Sequence, residues 1–217
     1  MSDIFHEVDE EVRRERLKQL WDRWGTFIVA AAFLVVVGVG SWRGYEWWDN
    51  KKAAESGAAF EAAALLAEGG KTAEAQAAYA KIAAEGSSGY RILSRFREAS
   101  ELAKTDTAAA IKAYDALTAD TSIGQNLQDL AAVRGALIRV DTAPLAEVTA
   151  KLEPAAAAGR PFRHTARELI ALSAWRNGDQ AAAKKWIDTI AADIETPAGT
   201  KQRIDVLMTL TGNAAKT

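Results

Sequence analysis

The chain has 217 residues, room for one ordinary domain and an appendage. Its 27 Lys+Arg against 29 Asp+Glu give a net charge of −2, which excludes the strong positive footprint of a nucleic-acid binder. There is no Cys and only two His, His6 and His164, so disulfides, thiolate-ligated metals and a thiol nucleophile are excluded, and His-based metal or triad chemistry lacks its usual complement.

The first 23 residues, MSDIFHEVDEEVRRERLKQLWDR, hold seven acids and five bases, unlike the short cationic leader of a secreted protein. They read as a helical tail. Asp9/Arg13 and Glu10/Arg14 are i,i+4 pairs of the favourable order, and Phe5, Val8 and Val12 form a weak apolar stripe. From Trp24 to Trp42 no residue is charged, and Arg23 and Arg43 bracket the stretch. Nineteen helical residues reach about 28 Å, close to the hydrocarbon thickness of a bilayer. Trp21, Trp24, Trp42, Trp47 and Trp48, joined by Tyr45, crowd its two ends, where an indole ring meets the headgroup level. The stretch is therefore expected to be an uncleaved membrane anchor with membrane lipid around it. Arg13, Arg14, Arg16, Lys18 and Arg23 before it outweigh Arg43, Lys51 and Lys52 after it, which places the N-terminus in the cytoplasm. Residues 43–52 would be a juxtamembrane linker, and 53–217 a domain across the membrane.

Alanine fills about a fifth of the chain, and the alanine-rich part beyond residue 53 repeats. Ala75, Tyr79 and Ile82 recur 35 residues later as Ala110, Tyr114 and Leu117. A further shift of 35 gives Leu145, Thr149 and Leu152, and one of 37 gives Ala182, Trp186 and Thr189. Each copy follows a break: GGKT, KTDT, VDTAP and NGDQ. First helices are predicted near 54–68, 88–103, 123–139 and 162–176. Second helices are predicted near 71–85, 107–119, 144–153 and 180–193. A last helix after Thr196-Pro197 runs to about Leu210 and covers the end of the stack. The expected fold class is all-α: a single N-terminal transmembrane helix followed by a tetratricopeptide-like solenoid of about four helix pairs and a C-terminal capping helix. In this arrangement a small residue lets helices approach, an aromatic four residues on fills the gap between them, and an apolar residue three further on shares their face.

The order of parts resembles a known family. The tail IFHEVDEEVRRERLKQLWDRWG, one span, and an array containing SSGYRILSRFREASELA, LQDLAAVRGALI and TPAGTKQRIDVLMTL are similar to the YfgM-like family, ancillary subunits of the SecYEG translocon in Gram-negative bacteria. The resemblance covers nearly the whole chain. It implies an inner-membrane protein with its repeats in the periplasm, associated with SecYEG and with a membrane-anchored periplasmic chaperone of the peptidyl-prolyl isomerase type. It also implies secretory client proteins as partners. The first helices lack the usual Trp/Leu/Gly/Tyr series of textual tetratricopeptide repeats.

Arg and Lys segregate in the array. Arg91, Arg95, Arg97, Arg134, Arg139, Arg163, Arg167 and Arg176 fall in predicted first helices, whereas Lys favours second helices and breaks. First helices line the concave face of tetratricopeptide arrays, and Arg is enriched in protein interfaces because its planar, weakly hydrated guanidinium stacks and binds carboxylates in pairs. Arg91, Arg95, Arg134, Arg163 and Arg167 are the candidate partner-binding residues. The competing expectation is that such side chains pair with Glu98, Glu101 or Glu168. Arg160, Arg163, His164 and Arg167 share a face at a helix start, where the dipole opposes positive charge. His164 is expected at the surface. Gly69-Gly70-Lys71-Thr72 follows a helix and lacks the glycine spacing of a phosphate loop, so it reads as a turn. No catalytic residue, metal ligand or cofactor site is assigned, and a non-enzymatic scaffold is expected. Its rivals are a scaffold for cell-wall or division machinery, and a regulator acting through the tail.

Overall fold

The computed structural model describes residues 3–211, with side chains for 13–16 and 18–211. The tail stripe Phe5, Val8 and Val12 and the pairs Asp9/Arg13 and Glu10/Arg14 lie outside the described side chains. All regular structure among the described residues is helical. The chain falls into two units, Met1–Ala54 and Glu55–Thr217.

Helix α1 (Asp3–Glu68) contains the whole of the uncharged stretch. The segment 43–52, read as a linker, is helical as well. The sequence explains this: no proline interrupts α1, and neither Gly44 nor Gly57 is followed by a second breaker. In the first unit the large apolar side chains among the described residues stay mostly exposed. Phe27, Phe33, Leu34, Val35 and Val36 are all exposed, on every side of the helix. This is the one helix among the described residues that is long and apolar enough to cross a membrane.

The second unit holds the end of α1, then α2 (Thr72–Glu85), α3 (Ser88–Thr105), α4 (Thr107–Ala119), a 3-10 turn (Thr121–Ile123), α5 (Gln125–Arg139), α6 (Leu145–Ala156), α7 (Arg163–Arg176), α8 (Gln180–Ala192) and α9 (Ala198–Leu210). The predicted helices from residue 71 onward thus exist, most of them within two or three residues of their expected ends. Local chemistry sets the breaks. Gly70 and Gly178 take left-handed φ of 74° and 77° between the helices of a pair, which side-chain-bearing residues adopt at a cost. Asp106 and Asp179 then cap α4 and α8, their carboxylates accepting from the N–H groups of Ala109 and Ala182 at 2.9 Å.

Each helix from α2 to α9 packs on its neighbours in sequence, and α7 also meets α5 and α9. The core runs as four successive patches. Ala63, Ala75, Tyr79 and Ile82 form the first, with the ring of Phe60 edge-on to Tyr79 at 5.3 Å. Ala99, Tyr114, Leu117 and Ala131 form the second. Ala136, Val148, Leu152 and Ile170 anchor the third, and Ala171, Ile187, Ile190 and Ile204 the fourth. Small residues bring the axes close: a Cβ built on Gly135 would lie 3.1 Å from the Cβ of Tyr114.

The register of the later repeats differs from the sequence reading. The first two triplets, Ala75/Tyr79/Ile82 and Ala110/Tyr114/Leu117, are buried as expected. The third buried triplet is Val148/Leu152/Ala155 and the fourth is Ala183/Ile187/Ile190. Both keep the same four-then-three spacing. Thr149, Ala182, Trp186 and Thr189 are only half-buried. The offsets are therefore 35, 38 and 35. A constant period cannot follow the longer link between the second and third copies, which holds the 3-10 turn and Gly124 at φ 81°.

Candidate partner-binding surface

Most of the arginines singled out from the sequence are spoken for within the array. Arg95 on α3 pairs with Asp120 at 2.6 Å, just past the end of α4. The hydrogen bonds from Ser122 and Arg95 hold the Asp120 carboxyl at about 2. Arg163 and Arg167, one turn apart on α7, both donate to Asp193 at the end of α8, at 2.9 and 2.8 Å. Arg163 also pairs with Glu195, and Arg167 donates to the carbonyl of Ala156 at 2.8 Å. The Arg163 hydrogen bond, opposed by burial, holds Asp193 well below the usual carboxylate range. Arg160 grips both oxygens of buried Asp129 at 2.7 and 2.5 Å, and buried Arg139 bridges Asp115 and Glu147.

The acids expected to take these charges take others. Glu101 binds Lys104, and Glu168 binds Arg203 on α9. The aspartates that matter are Asp120 and Asp193, just past second helices, and Asp115 and Asp129 within α4 and α5, all 24 to 31 residues from their arginines. A search for acids on the same helix misses them. Arg163 and Arg167, at the start of α7 where the helix dipole opposes positive charge, are thus neutralised by Asp193 and Glu195 of the α8–α9 loop.

His164 is buried, not at the surface. Its Nδ1 lies 3.2 Å from Thr196 Oγ1, and that hydroxyl donates its only proton to the carbonyl of Ile190 at 2.8 Å. The imidazole must therefore carry its proton on Nδ1 and donate to Thr196. Burial and the charge of Arg163 push its pKa down, against the pull of Asp193.

Three arginines remain in solvent. Arg91, Arg97 and Arg134 are exposed and make no ion pair among the described residues. Arg97 stands two residues before buried Ala99 on α3, and Arg134 two before buried Ala136 on α5, so they occupy equivalent places in successive repeats. Burial raises the pKa of the Tyr114 hydroxyl, and Arg134 and Arg97 both act to lower it. Of the proposed partner-binding residues, Arg91 and Arg134 keep free guanidiniums, while Arg95, Arg163 and Arg167 are held by aspartates. Arg97 completes the free set.

In the first unit Trp21, Trp24, Trp42, Trp47 and Trp48 are all exposed. Lys51 and Lys52 reach back over the rings of Trp47 and Trp48, at 5.5 and 5.6 Å.

Stacked antiparallel helix pairs, a four-then-three burial rule and a terminal covering helix define a helical repeat protein. Residues 18–196 match the tetratricopeptide repeat-like domain, and the chain belongs to that family of protein-interaction scaffolds. No curated protein and no solved structure matches it.

Proposed function

We propose that the protein is a single-pass scaffold of the bacterial inner membrane, with its N-terminus in the cytoplasm and its array in the periplasm. There it binds partners at the exit of the SecYEG translocon, together with a membrane-anchored chaperone of the peptidyl-prolyl isomerase type, and helps hand on emerging secretory proteins. No bond is made or broken. The observation that carries the reading is the pairing of two features in one chain: an array of the interaction-scaffold family, and a helix whose large apolar side chains among the described residues stay mostly exposed. Exposed Phe27, Phe33, Leu34, Val35 and Val36 call for lipid, and the indoles at both ends suit its headgroups. The translocon partnership rests on the resemblance of tail, span and array to the YfgM-like subunits. Anchoring raises the effective concentration of a weak binding surface near the place where clients emerge.

The test is in-cell crosslinking of the tagged full chain, mild-detergent purification and mass spectrometry. Translocon subunits and a membrane-anchored chaperone, lost when residues 53–217 are removed, support the reading. Wall-synthesis or division proteins in their place overturn it and leave the fold untouched.

A further inference from the structure

We infer that Arg97 and Arg134 form the centre of a docking surface for an extended acidic segment of a partner protein, with apolar side chains between its carboxylates. This deepens the proposed scaffold function and rests on it only in assuming a protein partner.

Charge complementarity is the first support. Among the described residues, Arg95, Arg139, Arg160, Arg163, Arg167 and Arg203 are tied to acids of the array itself. Arg97 and Arg134 are not, although both helices expose them. A guanidinium without a carboxylate keeps its five donors for an incoming one and binds it in a two-pronged way. Arg97 follows Phe96, whose ring lies 6.3 Å from that of Tyr114, and Arg134 precedes Gly135, which packs on the Cβ of Tyr114, so the two arginines flank one side chain of α4.

The second support is apolar. Leu93 precedes Arg97 by four residues, and Leu137 follows Arg134 by three, so each leucine lies on its arginine's face of the helix. Both are exposed by half of their surface. A purely acidic ligand would leave them wet. A segment that alternates acidic and apolar contacts covers all four side chains.

The charge pattern also sets a limit. Burial raises the pKa of Tyr79, one repeat earlier; Arg97 lowers it, and Glu101 of α3 with Glu61 and Glu68 of α1 raise it, so acids of the array already answer Arg97 on that side. Arg163 and Arg167 take no part, because Asp193 already holds them.

The experiment uses the purified full chain in detergent and short fluorescein-labelled peptides of glutamate and leucine, with glutamine/leucine and lysine/leucine counterparts, read by fluorescence anisotropy. The glutamate peptide is expected to bind about tenfold more tightly than the glutamine one, and less so as salt rises. The double variant R97E/R134E is expected to lose about tenfold for the glutamate peptide and to gain affinity for the lysine one. R97Q/R134Q serves if the charge reversal melts early. Equal affinity of either variant and the native chain for the glutamate peptide overturns the inference. So does equal binding of glutamate and glutamine peptides by the native chain. Peptide discrimination without translocon crosslinks overturns the proposed partner alone. Crosslinks without peptide discrimination overturn this inference alone.

Discussion

The hydrogen-bond pattern around His164 makes a pH-dependent prediction. The ring is neutral when buried, with its pKa pushed down by burial and by Arg163. An unfolded chain holds the extra proton below about 6.5, where the folded one does not. More protons on the unfolded state means that stability rises with pH in this window, and so falls as pH drops below about 6.5. The melting temperature of the full chain, followed by circular dichroism, should decline from about pH 7 to about pH 5 and decline less in His164→Gln. Asp120 works lower down. Its folded value near 2 supplies stability above the ordinary carboxylate value of about 3.9, lost as pH falls toward 2. The buried Arg160–Asp129 fork gives a second prediction. Asp129→Ala leaves a half-buried guanidinium without its partner and should cost about 3 kcal/mol in urea unfolding. None of these pairings could be read from the sequence. An arginine on a helix face looks free until the fold brings in an aspartate 25 to 31 residues away. The basic run at the start of α7 was visible, but its neutralisation by Asp193 was not.

Helices and turns were far more legible, because their causes are local. GGKT and NGDQ carry both the left-handed glycine and the break; an acid caps the next helix in NGDQ and KTDT alike. The repeat period was legible only until the link changed length. After that, shifts of 35 and 37 put Thr149 and Trp186 at the central place that Leu152 and Ile187 hold. Burial distinguishes the two registers by mutation. Ile187→Ala should destabilise the array by about 3 kcal/mol, whereas Thr149→Ala should change it by less than about 0.5 kcal/mol, both measured by urea unfolding. Gly135 sets two effects against each other. Alanine would gain about 1 kcal/mol of helix propensity, but its Cβ would press on Tyr114 at 3.1 Å, and overpacking costs about 1–3 kcal/mol. Gly135→Ala should therefore come out destabilising by about 1 kcal/mol.

At the scale of the molecule, the stretch long and apolar enough to cross a membrane was the clearest signal of all, since 19 uncharged residues need no tertiary context to interpret. The covering role of α9 was also readable from its position after the last break. It buries Ile204 and Leu207 against Ala171, Ile187 and Ile190. A chain stopped after Thr196 would keep the His164 contact and lose that cover. It should melt several degrees earlier than the full protein, which circular dichroism reports directly.

Because each helix from α2 onward packs mainly on its neighbours in sequence, the array has a low contact order. Such topologies close short loops first and fold quickly, since no distant strand must be found before a contact is rewarded. The interlocking arginines add a rule of succession. Asp120 follows Arg95 by 25 residues and Asp193 follows Arg163 by 30, each just past the second helix of its own pair, so a unit is tied together as soon as its second helix is complete. A chain delivered from its N-terminus can then assemble pair by pair as it is made, with the last helix closing the stack.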